Sequence, residues 1–180
     1  MSLSLTEANI MQTLGNFFTA ILPDVEIRRG QENRTTLPSG PNWLVMTPIL
    51  RTRLDTNTDI FSVTDTVGIT AAGTTIRLDV QADCYGPAAE DNAQIISTLF
   101  RDEYATAFFF HSGFAVSPLY TFEPRNLTFI NDAAQYEPRW NVDVSLEINP
   151  VVTFQQQYMD AVGPVTIINV DETYPPTGAS

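Results

Sequence analysis

The sequence predicts an α+β fold: a mixed, mostly antiparallel β-sheet packed against two main α-helices, with a projecting β-hairpin and a long loop. Three observations predict it. Residues 140–148, Trp-Asn-Val-Asp-Val-Ser-Leu-Glu-Ile, alternate apolar and polar side chains without a break, which is the period of a half-buried strand. Residues 75–84 repeat the pattern, with Ile76, Leu78, Val80, Ala82 and Cys84 on one face and Thr75, Arg77, Asp79, Gln81 and Asp83 on the other. Residues 6–22 instead set Ile10, Leu14, Phe17, Phe18 and Ile21 at helical spacing, an apolar stripe suited to packing on a sheet.

The first helix has Ser4 or Thr6 as candidate N-cap and Pro23 as its stop. Its polar face holds no basic residue, which favours packing on a sheet over lying on a membrane surface. Val25, Glu26, Ile27 and Arg28 form a short strand ending at Gly30. Residues 29–41 are polar and broken by Pro38, Gly40 and Pro41, so they read as an exposed loop, either functional or simply superficial. Residues 43–50 predict a strand in which Pro48 marks an edge or a bulge.

Residues 51–75 predict the projecting hairpin. There Ile60, Ser62 and Thr64 alternate with Phe61, Val63 and Asp65, residues 55–59 are turn-like, and residues 71–73 supply a turn. Gly86 and Pro87 break the strand at 75–84, and residues 88–109 carry Ala93, Ile96, Leu99, Phe100 and Ala107 at helical intervals. This is the second helix, with Glu90 and Asp91 at its positive dipole end and Phe108, Phe109 and Phe110 as core-filling aromatics. Phe114, Val116 and Tyr120 make a short edge segment, and residues 127–130 a strand leading toward 140–148. Beyond Pro150, residues 151–154 continue extended, residues 165–170 (Val-Thr-Ile-Ile-Asn-Val) predict a last strand, and residues 173–180 a fraying tail. Residues 1–172 are expected to form one domain.

Composition narrows the function. A chain of 180 residues buries close to ~70% of its unfolded surface in a single core. One cysteine, Cys84, and one histidine, His111, exclude an intrachain disulfide and a Cys/His zinc site. The first residues lack a basic stretch followed by an apolar run, and no stretch approaches the ~18 apolar residues of a membrane span. A soluble protein made in the cytoplasm, without membrane contact, is expected.

All nine positive residues are arginine, and the net charge is −12. Arg28, Arg29, Arg34, Arg51 and Arg53 lie in the first 53 residues, whereas the remainder holds four arginines against seventeen carboxylates. So acidic a chain is unsuited to binding nucleic acid by phosphate neutralisation. Arginine without lysine favours the fork-shaped hydrogen bonding used at protein interfaces, with compositional drift as the alternative. The five arginines are the candidate subunit or partner interface.

The usual catalytic signatures are missing: no phosphate-cradling Gly-rich loop, no Gly-x-Ser-x-Gly elbow and no His-Glu-x-x-His. His111 beside Ser112 lacks an orienting acid, and Cys84, on an apolar strand face, reads as a buried thiol. If the two strong strands are neighbours, Asp79, Asp83, Asp143 and Glu147 share a face. Four such acids make either an ordinary solvated or subunit-facing sheet surface, the favoured reading, or a metal or catalytic site. No cofactor and no enzymatic activity are expected.

Two stretches carry a family likeness. Arg-Gly-Gln-Glu-Asn-Arg-Thr-Thr-Leu-Pro with Trp-Leu-Val-Met-Thr-Pro-Ile, in residues 29–49, and Arg-Trp-Asn-Val-Asp-Val with Asn-Pro-Val-Val-Thr-Phe, in residues 136–171, resemble the neck and tail terminator proteins of tailed bacteriophages. The resemblance implies an α/β fold assembled as a hexameric ring at the head-proximal end of the tail. There it caps the tail tube, beside the sheath protein where a sheath is present, and joins it to the neck and connector in the virion, with no catalytic residues. DNA would pass through without specific binding, and an acidic face of Asp79, Asp83, Asp143 and Glu147 would suit such a lumen. A head-completion adaptor or a tail-tube or baseplate component is the related alternative. A carboxylate- or metal-dependent enzyme is the alternative of another class.

Overall fold

The computed structural model describes residues 1–33, 36, 38–64, 67–130 and 134–158. β1 (Ser2–Leu3) leads into α1 (Glu7–Ile21), then β2 (Glu26–Arg29), β3 (Trp43–Arg53), the pair β4 (Thr58–Thr64) and β5 (Val67–Gly73), and β6 (Ile76–Tyr85). There follow α2 (Ala89–Leu99), α3 (Glu103–Phe110), β7 (Val116–Thr121), β8 (Arg125–Asn126), β9 (Phe129–Ile130), β10 (Tyr136–Glu137), β11 (Arg139–Ile148) and β12 (Val151–Gln156). The fold is α+β with mostly antiparallel sheets.

The main sheet has the order β2-β3-β6-β11-β7, with β8 also on β11, and β2–β3 is its parallel pair. The two strongly alternating stretches are therefore its central neighbours, in register from Arg139 opposite Tyr85 to Ile148 opposite Ile76. Because side chains alternate, that register gathers Leu78, Val80, Ala82, Cys84, Val142, Val144, Leu146 and Ile148 on one buried face. The helices cover this face, and Phe17 of α1 is the hub, its ring 5.4–6.3 Å from those of Phe18, Phe100, Tyr104, Phe108 and Phe109.

Helix α1 starts where Thr6 caps it: Thr6 Oγ1 accepts the Asn9 N–H at 3.2 Å and Asn9 Oδ1 accepts the Thr6 N–H at 3.1 Å. The second helix differs from expectation, since residues 88–109 form two helices. Asp102 takes extended angles and its carboxylate accepts the Tyr104 N–H at 2.9 Å, so it starts α3 afresh and lets Phe100 and Phe109 converge on Phe17. Phe109 is buried, whereas Phe110 is exposed.

Pro48 sits at a register shift between β3 and β6, beyond the last β2 partner, Met46, where no ladder hydrogen bond to β2 is needed. The predicted hairpin is β4–β5, extended by β12 and β1 into a second sheet of order β1-β12-β5-β4. Residues 71–73 do not form the expected turn. Ala71, Ala72 and Gly73 are paired on both sides, to β4 and β12, and their small side chains suit that central place. Of residues 127–130, Phe129 and Ile130 form the strand, β9, which pairs with β10; the preceding β8 pairs with β11. The strand expected at 165–170, the tail at 173–180 and Arg34 lie outside the described residues.

Candidate functional site

The face of the main sheet opposite the helices is where the sequence-predicted acids meet. Asp79, Asp83, Asp143 and Glu147 all lie on it, because Ser145 stands opposite Asp79, Asn141 opposite Asp83, and Glu147 opposite Arg77. Pairing also places Glu26, Arg28, Arg125 and Arg139 there. Five carboxylates thus stand among four guanidinium groups.

Each predicted acid has a partner. Asp79 pairs with Arg77 at 3.2 Å and accepts the Ser145 hydroxyl at 2.6 Å. Asp83, only 7% exposed at its side chain, takes Arg139 at 3.0 Å and Gln81 Nε2 at 2.9 Å. Asp143 pairs with Arg125, which also donates to Asn141 Oδ1 at 2.6 Å. Glu147 accepts from Asn149 Nδ2 at 3.2 Å. Asn141 and Ser145, on the polar side of the alternating strand, are buried within this network, because the long side chains of Arg125, Arg77 and Tyr120 reach over the strand. Among the described residues, no group of three or more His, Cys, Asp or Glu could hold a metal.

The predicted arginines do not form one cluster. Arg28 pairs with Glu26 of the same strand. Its bond, with those from Ser39, holds the Glu26 carboxyl below the usual range, the Ser39 N–H contributing most. Arg29 and Arg51 converge on Glu7 of α1, tying the main sheet to the helix start. Arg53 donates to the Asp55 carbonyl at 2.8 Å and to Asn57, ordering the approach to β4. The Thr75 N–H in turn holds the Asp55 carboxyl below its usual value.

Two exposed apolar surfaces were not anticipated from the sequence. Ile60, Phe61 and Val63 stand out on β4 at one end of the molecule, next to the start of β6. Phe129, Ile130 and Tyr136 stand out on β9–β10 at the other end, where Phe129 meets the Tyr85 ring at 6.4 Å and Tyr85 stacks on Trp43 at 3.8 Å. A signal for the first existed: adjacent Ile60 and Phe61 make a strand apolar on both faces, which a half-buried strand does not require.

The remaining nucleophile candidates are structural. Ser112 Oγ accepts the Phe114 N–H at 3.2 Å, and the His111 ring packs edge-on against Phe110 at 5.5 Å. Burial pushes the Cys84 thiol up to about 12, with the nearby Asp83 charge adding to it. Burial likewise raises the Tyr85 phenol.

Acids held by ion pairs or hydrogen bonds, with large apolar side chains exposed at both ends, make surfaces suited to contact with other proteins. The protein's family follows from comparison with known families: the chain belongs to the phage neck terminator protein family, whose model matches residues 8–174. A comparison with curated proteins gives no match. The protein is thus a structural component of the phage neck and tail region, and its place is the virion. No described helix is long and apolar enough to cross a membrane.

Proposed function

We propose that the protein forms a hexameric ring at the head-proximal end of the tail, terminating the tail tube and joining it to the neck and connector. The observation that carries this reading is the pair of unlike apolar surfaces at opposite ends of the main sheet. Ring closure needs a heterologous contact, in which one patch of a subunit meets a different patch of the next. The β4 surface and the β9–β10 surface are such a pair. Arg53 lies on the approach to β4 and Arg29 and Arg51 meet at Glu7, all pre-ordered by their internal bonds, and their guanidinium forks suit contacts to a neighbouring subunit or the tube. The helix-free face, with Asp79, Asp83, Asp143 and Glu147, is proposed to face the lumen. With five carboxylates among four arginines it presents no net positive field to grip passing phosphates.

Light scattering and negative-stain imaging of the purified protein test this directly, with six-fold rings expected. Particles assembled without the protein should show overlong tubes or heads without tails. A monomer at all concentrations together with normal tails in its absence would overturn the reading. Ile60→Asp and Tyr136→Asp should each abolish rings while leaving the monomer folded. Mixing the two variants should restore no closed ring, because each subunit supplies both surfaces.

A further inference from the structure

Residues 8–23 and 104–122 contain no Asp, Glu, Lys or Arg, in a chain whose net charge is −12. The fold brings these two stretches together. α1 and α3 pack through Phe17, whose ring lies 5.4 Å from that of Phe108 and 6.3 Å from that of Tyr104. Their outward side is therefore an uncharged surface. Gln12, Asn16 and Thr19 are exposed on α1, and Tyr104, Phe110 and Phe114 are 46%, 82% and 39% exposed on α3 and just beyond it. Charge is confined to the margins, at Glu7, Asp102 and Glu103 where the helices start and at Arg29 and Glu32 beyond the far flank of α1.

A cleft of about 320 Å³ lies in this surface, lined by Gln12, Thr13 and Asn16 of α1 and by Phe108, His111 and Phe114 of α3 and its exit. Gln12 Nε2 donates to Asn16 Oδ1 at 2.8 Å, so the α1 wall is a neutral amide pair. Phe110 stands next to the cleft, its ring edge-on to that of His111 at 5.5 Å. An apolar knob and an aromatic-lined cleft thus sit side by side on one face.

Both features select the occupant. Two copies of so acidic a chain repel across any face that bears its share of the carboxylates, and an uncharged face is where that cost is smallest. The centres of protein interfaces are likewise poor in charge and rich in aromatic residues. A knob beside a cleft is also self-complementary. A twofold axis sets the knob of each copy over the cleft of the other, a condition that contact with a different protein does not require.

We propose that the α1–α3 face docks a second copy of this chain about a twofold axis, with Phe110 of each copy entering the cleft of the other. The contact uses neither the β4 nor the β9–β10 surface, so it stands whether or not the ring forms.

Analytical ultracentrifugation of the full chain tests it, with Ile60→Asp included to take the β4 surface out of play. The Ile60→Asp protein should pass from monomer to dimer as its concentration rises. Adding Phe110→Asp should weaken that association at least ~30-fold, the effect of losing a central aromatic anchor. Thermal unfolding should stay unchanged, because Phe110 lies in solvent. Adding Asn16→Arg instead should weaken association too, and mixing the two double variants should restore a dimer, since opposite charges then meet across the contact. A dimer unaffected by Phe110→Asp, or a monomer at every concentration, would overturn the proposal. So would a monomeric chain whose attachment to purified heads or tails is lost with Phe110→Asp, an outcome that gives the face to another virion protein.

Discussion

Arg139 grips Asp83 across the two central strands, with Nε at 3.1 Å and Nη2 at 3.0 Å from the same carboxylate oxygen, Oδ1. Its guanidinium also lies 5.6 Å from the centre of the Tyr85 ring, a cation–π contact. Removing one partner of a buried pair leaves an uncompensated charge, which costs far more than the pair is worth. Arg139→Leu should therefore lower unfolding free energy by roughly 3 kcal/mol in urea titration. Adding Asp83→Asn should recover part of that loss, and a double-mutant cycle without coupling would contradict the pairing.

Phe17 is fully buried and meets five other rings. Phe17→Ala should cost about 3–5 kcal/mol, the transfer loss plus the cavity left behind. Thermal unfolding followed by near-ultraviolet dichroism checks it, since the aromatic cluster gives that signal.

Gly86 has φ +98°, and a Cβ there would sit on the Pro41 carbonyl. The close approach matters because Asn42 Oδ1 accepts the Ala88 N–H at 3.1 Å just ahead of α2. Gly86→Ala should destabilise by roughly 2–3 kcal/mol through backbone strain and displacement, whereas Gly113→Ala, with φ +77° but open space around it, should cost less. Denaturant midpoints of the two variants make the comparison.

Asp102→Ala removes the cap that restarts the helix at α3. A loss of about 1 kcal/mol is expected, with faster amide exchange at Tyr104 as its local mark.

Cys84 gives a pH prediction. Its thiol ordinarily ionises near 9.0 and does so in the folded protein only at about 12, so the unfolded chain loses this proton first. The stabilising contribution is fully present below pH 9 and declines, on the order of 1.4 kcal/mol per pH unit, as pH rises through that window. Tyr85 shifts in the same direction and steepens the decline. Cys84→Ala should flatten the alkaline limb of the stability curve, and native Cys84 should resist alkylation at pH 8 until the protein is unfolded.

Much of this architecture is legible in the residues because it is set by near neighbours along the chain. The period of two in β6 and β11 and the stripe of Ile10, Leu14, Phe17 and Phe18 are read without knowing any contact, and the buried faces follow. Asp79, Asp83, Asp143 and Glu147 could be placed on a common face only on the assumption that the two strands are neighbours. The candidate interface was less legible. Ile60 and Phe61 gave a signal in their two-sided apolar character, but Phe129, Ile130 and Tyr136 are ordinary apolar residues until the fold leaves them without cover.

The sequence by itself determined the class of fold, the inward faces of the central strands and the absence of a Cys/His metal site, since composition and local period suffice for these. Only the tertiary structure decided that residues 88–109 break at Asp102, that Ala71 to Gly73 stay within a strand, and that Asp79, Asp83 and Asp143 are held by partners from distant segments. The reason is physical. A side chain's direction depends on its own strand or helix, but its charge balance and its exposure depend on which distant segments are brought beside it, as Arg139 is to Asp83.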